Sequence, residues 1–105
     1  MAGTRSMVVC YLNGRARIST DGIQWMVEIA SGPGWTPVKF VVGRRWDLWC
    51  AVISRNIEPD PAGEIALAAL PLTFRDFIAR WSADKAAPDR PPQAKKPARI
   101  ISAAG

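Results

Sequence analysis

Hydrophobic and polar positions alternate along the middle of the chain and then change period. Between Asp21 and Ser31, Ile23, Trp25, Val27 and Ile29 occupy every second position, which places four apolar side chains on one face of an extended segment. Ser31-Gly32-Pro33-Gly34 is a chain-reversing sequence, and after it Val38, Phe40 and Val42 alternate again on a second strand. From there the spacing becomes helical. Trp46, Trp49, Cys50 and Ile53 fall at i, i+3, i+4 and i+7, one stripe of an α-helix. A hairpin alone is only marginally stable, so this helix is expected to cover its apolar face.

The flanks extend the same logic. Met7 to Leu12 is β-prone and ends at Asn13-Gly14, a strong hairpin signal, with Arg15 to Ser19 as its more polar partner strand. Asp21-Gly22 offers a second tight turn. Strands are therefore expected near 6–12, 15–20, 22–30 and 35–42, followed by a helix over 45–55 with Asn56 at its C-terminal end. Asp60-Pro61 reads as an N-cap and first helical position of an alanine-rich helix reaching Leu70, which Pro71 breaks. Thr73 and Asp76 have capping-box spacing, and Phe74, Phe77, Ile78 and Trp81 form the stripe of a helix over 73–82. The fold expected is α+β: a three- to four-stranded antiparallel β-meander with two or three helices packed on one face.

Past Ser82 the chain turns to Ala, Pro, Lys and Asp, and Pro88, Pro91, Pro92 and Pro97 disfavour a helix. Residues 1–82 are read as a single domain and 83–105 as a disordered basic tail. The net charge of +5 is unevenly placed: residues 1–82 carry nine basic and seven acidic side chains, the tail five and two. Such a tail attracts polyanions without selecting a sequence. No apolar run approaches the roughly 20 residues of a membrane span. The first residues do not resemble a secretory signal, so a cytoplasmic setting is expected. Cys10 and Cys50 are then expected as reduced thiols, with a disulfide between them as the alternative.

Candidate chemistry is sparse. With no histidine in the chain, the commonest general base, the usual serine and cysteine triads and most zinc sites drop out. The carboxylates are scattered singly, and no glycine-rich phosphate loop precedes a helix. A non-enzymatic protein with no cofactor and no metal site is expected. Of the five tryptophans, Trp25, Trp46, Trp49 and Trp81 lie on apolar stripes and are read as core. Trp35 lies instead on the strand face shared with Pro37 and Lys39. Together with Gln24, Met26 and Glu28, and with Arg17 in the neighbouring strand, these residues form the expected partner-facing surface. Arg44 and Arg45 at the adjoining helix start extend it and, with the basic tail, supply a weak contact for nucleic acid.

Asp21 to Trp25 (DGIQW), Trp35 to Phe40 (WTPVKF), Leu48, and Leu70 to Phe74 (LPLTF) together carry a family likeness. The arrangement resembles small uncharacterised proteins encoded in phages and prophages, in which a GIQW-like strand, a short turn, a W-x-P-[VS]-x-F strand and a helix follow one another. The resemblance implies a mobile-element origin, a bacterial host, and action by binding a host protein or ribonucleoprotein complex, with an anti-CRISPR-like inhibitor as the most concrete form. The alternatives carried from sequence are a basic accessory protein that binds nucleic acid directly and a homodimeric structural or assembly factor.

Overall fold

The computed structural model describes residues 7–91. Four strands, β1 (Met7–Asn13), β2 (Ala16–Thr20), β3 (Trp25–Ser31) and β4 (Gly34–Val41), form one antiparallel sheet in the order β1-β2-β3-β4. Helices α1 (Arg45–Ser54), α2 (Pro61–Ala68) and α3 (Phe74–Arg80) follow, then a single 3-10 turn at Ala83–Lys85. This is the α+β meander that the alternation implies.

Local chemistry explains each corner. Asn13 Oδ1 accepts from the Arg15 amide at 2.7 Å and closes the first hairpin. Asp21 Oδ1 accepts from the amides of Ile23 and Gln24 at 2.9 and 3.1 Å. That turn holds Ile23 ahead of β3, so Ile23 is 67% exposed instead of joining the apolar face expected for it. Gly32, at φ 58°, supplies the left-handed residue of the third turn. Asn56 takes the same conformation just past α1, at φ 57°. Asp60 caps α2 by accepting from Gly63 N at 2.7 Å, and Thr73 caps α3 by accepting from Asp76 N at 3.1 Å.

The inner face of the sheet gives Leu12, Ala16, Ile18, Trp25, Val27 and Val41 to one core. The helices cover it with Leu48, Ala51, Val52, Leu67, Phe74 and Phe77. Trp25 is fully buried at the centre, 5.3 Å from the Phe74 ring in an edge-on contact and 5.5 Å from Phe77.

Two apolar stripes differ from expectation. In β4, Val27 pairs with Lys39 and Glu28 with Pro37, so Val38 is an extra residue and the alternation reverses across it. Val41, opposite Trp25, is buried in consequence, whereas Phe40 and Val42 are 57% and 64% exposed. In α1 the buried residues are Leu48, Ala51 and Val52. Trp46 and Ile53, expected in the core, are 65% and 62% exposed, and Trp49 is half-buried. The helix is apolar nearly all round, so spacing alone permits either stripe. The smaller side chains win because they let the helix approach the sheet closely, where two indoles would hold it off.

The chain beyond Ser82 also differs from the expected tail over part of its length. Ala87 N donates to Val8 O at 2.8 Å, and the segment through Pro91 makes defined contacts with the outer face of the sheet. The contacts are hydrogen bonds, most of them through the segment's main chain, which hydrophobic patterning does not register. The rest of the expected tail, residues 92–105, lies outside the described residues.

Candidate functional site: an apolar groove between the first and third helices

Residues 43–45 and 72–74 run antiparallel, joined by Phe74 N to Gly43 O at 2.9 Å and Arg45 N to Leu72 O at 2.8 Å. These two bonds fix the start of α1 beside the loop that leads into α3. Leu72, 66% exposed, is thereby set next to the outward stripe of α1. Trp46, Trp49, Ile53, Leu72 and Thr73 line an open groove of about 520 Å³. Its surface is mostly carbon. Three large apolar side chains left more than half exposed around one groove form a patch of the kind that marks an interaction site.

The rim is basic on one side, where Arg44 and Arg45 stand. The two arginines have different jobs. Arg45 Nη1 donates to the carbonyl oxygens of Ala68 and Leu70, both at 2.7 Å, and so completes the end of α2. Arg44 is exposed, and its guanidinium stands 3.8 Å from Asp47, a loose surface pair.

The surface expected from sequence divides. Pro37 and Lys39 are exposed on β4, an edge strand, where both residue types discourage pairing with another strand. Gln24 is half-buried and donates to Asp21 Oδ2 at 3.2 Å, so it belongs to the turn. Met26, Arg17 and Glu28 are buried, at 6%, 6% and 4% exposure. Arg17 Nε donates to Glu28 Oε1 at 2.6 Å, and Arg17 Nη1 to Asp89 Oδ1 at 2.8 Å. Burial alone would lower the Arg17 pKa. Hydrogen bonds to Asp89, Glu28 and Tyr11 more than offset that, and hold it above its ordinary value. Trp35 is half-buried, with the Arg17 guanidinium 4.5 Å above its ring and its indole N–H donating to Arg90 O at 3.0 Å. Arg17 and Trp35 are thus engaged by the chain's own residues 89–90, and Glu28 is engaged by Arg17.

The groove residues Trp46, Trp49 and Ile53 were not legible as a surface, because their spacing is also that of a core stripe, and Leu72, in the loop before α3, carries no periodic signal. The signal that would have separated them is the parallel set Leu48, Ala51 and Val52, whose smaller side chains suit a close helix–sheet contact. Among the described residues no helix is long and apolar enough to cross a membrane, and no group of three or more Asp, Glu or Cys stands where it could hold a metal ion. Both cysteines are free, Cys10 half-buried and Cys50 exposed.

Comparison with known proteins gives no relative. No family model, curated protein or solved structure matches the chain.

Proposed function

We propose that this protein is a binding module whose partner is a protein segment presenting an apolar anchor with an acidic residue beside it, received by the Trp46–Trp49–Ile53–Leu72 groove. The observation that carries the reading is the exposure of Trp46, Ile53 and Leu72 around one apolar groove held in place by backbone hydrogen bonds. Tryptophan is enriched among the residues that carry most of the binding energy at interfaces. Arg44 at the rim favours an acidic neighbour of that anchor and would speed association. A nucleic-acid partner is less well served. Arg45 Nη1 is engaged by two carbonyls, and the groove between the arginines and Ile53 is carbon-lined.

The resemblance to phage and prophage proteins extends this reading to a bacterial host complex as the target, with an anti-CRISPR-like inhibitor as its concrete form. A photo-crosslinking residue placed at Trp46 in the full chain, expressed in a bacterial host, tests the reading. Adducts to one host protein from position 46, absent from a matched probe at Ile65, which is 72% exposed on α2, would agree with it. Adducts only to nucleic acid, or only to a second copy of this chain, would move the function to the accessory-protein or homodimer reading.

A further inference from the structure

We propose that the outer sheet face around Tyr11, Arg17 and Trp35 is a second binding site, built for extended proline-flanked acidic segments, and that residues 87–91 are its ligand in cis. The segment Ala87-Pro88-Asp89-Arg90-Pro91 is read group by group. Val8 O accepts from Ala87 N at 2.8 Å. The Tyr11 hydroxyl donates to Pro88 O and accepts from Arg90 N, each at 2.8 Å. Arg17 Nη1 holds Asp89 Oδ1 at 2.8 Å, and Trp35 Nε1 donates to Arg90 O at 3.0 Å. The Arg90 guanidinium lies 3.9 Å over the Tyr11 ring. Main-chain contacts set the register, while the Asp89 carboxylate on Arg17 and the Arg90 guanidinium over Tyr11 supply much of the hold, the carboxylate also giving selectivity. Aromatic residues facing a proline-containing extended chain are a recurring way to capture a peptide that has little conformational entropy to lose.

The receiving side is held independently of its occupant. Glu28 fixes Arg17 Nε at 2.6 Å, which leaves Nη1 pointed at the position Asp89 fills. Tyr11 and Trp35 support each other edge-on at 5.9 Å. The occupant, by contrast, contributes no large apolar side chain. Ala86 and Ala87 are half-buried and Pro88 to Pro91 are exposed. Displacing it leaves the helix-covered core intact, so the segment is exchangeable for another of the same chemistry.

The test uses the full chain and the Trp35 indole N–H signal in a nitrogen-edited NMR spectrum. The probe is a synthetic peptide of residues 84–91. Asp89→Ala, and Asp89→Ala with Arg90→Ala, alter exposed side chains only and spare the fold. Both variants are expected to shift the Trp35 signal. Added peptide should return it toward the wild-type position, with an apparent Kd at least roughly tenfold lower in the double variant than in the wild type, where the tethered segment competes at high effective concentration. The same peptide with its Asp replaced by Ala should bind several-fold more weakly. A Trp35 signal unchanged in both variants, or a shifted signal with no response to peptide, would overturn the proposal.

Discussion

Arg45 Nη1 lies 2.7 Å from the carbonyl oxygen of Leu70, and the same nitrogen reaches the Ala68 carbonyl at equal distance. One side chain at the start of α1 thus satisfies two carbonyls that the end of α2 leaves unpaired. Its neighbour Arg44 makes only a loose contact with Asp47. Adjacent in sequence, the two arginines separate in role.

That separation has a measurable consequence. Arg45→Ala should lower stability by about 1–2 kcal/mol, since it removes charged hydrogen bonds to two carbonyls, that of Leu70 partly buried. Arg44→Ala should change it by less than about 0.5 kcal/mol. Urea unfolding of both variants checks this. Equal losses would mean that the α2 end is not held by Arg45.

Gly63 gives an opposite-sign test of helix propensity. In an exposed helix interior, Gly→Ala stabilises by about 1 kcal/mol. Here a Cβ on Gly63 would lie 2.1 Å from Leu12 O, inside the backbone of β1. The amide of Asp60 also donates to that oxygen at 2.8 Å, so α2 cannot back away without breaking this bond. Gly63→Ala should therefore lower the melting temperature, and a rise would show that α2 packs more loosely on β1.

Much of the architecture was legible because it follows from side-chain spacing and turn chemistry. The Asn13-Gly14 corner, the Asp60-Pro61 and Thr73 helix starts, and the Phe74–Phe77 stripe are local signals with one physical outcome. The candidate site was less so, for three separate reasons. A bulge at Val38 reverses the faces of β4 without any change in hydrophobic content. In α1 two stripes have the same helical spacing, and only packing distance against the sheet chooses between them. The contacts of Arg17 and Trp35 with Asp89 and Arg90 span more than fifty residues, so no local pattern announces them.

The two thiols should behave differently. Burial pushes the Cys10 thiol from its ordinary 9.0 up to about 12, whereas Cys50 is exposed. At pH 8 a thiol reagent should modify Cys50 promptly and Cys10 only at the rate of unfolding. Because Cys10 keeps its proton in the folded state after the unfolded chain has lost it, stability should fall as pH rises from about 9 toward about 12. Cys10→Ser should lessen that fall. Mass spectrometry of timed alkylation, with denaturation at several alkaline pH values, measures both, and equal modification of the two thiols would contradict the assignment.

On the proposed reading Trp46, although apolar and on a helix, anchors a partner and not the core. This is tested most directly by titrating the crosslinked host protein, once purified, against the wild-type chain and Trp46→Ala, with thermal melts of both. Trp46→Ala should weaken binding by about 2 kcal/mol, roughly thirtyfold in Kd. Its stability should change by no more than about 0.5 kcal/mol. Undiminished affinity together with a melting temperature lowered by a core-sized loss of about 3–5 kcal/mol would contradict it.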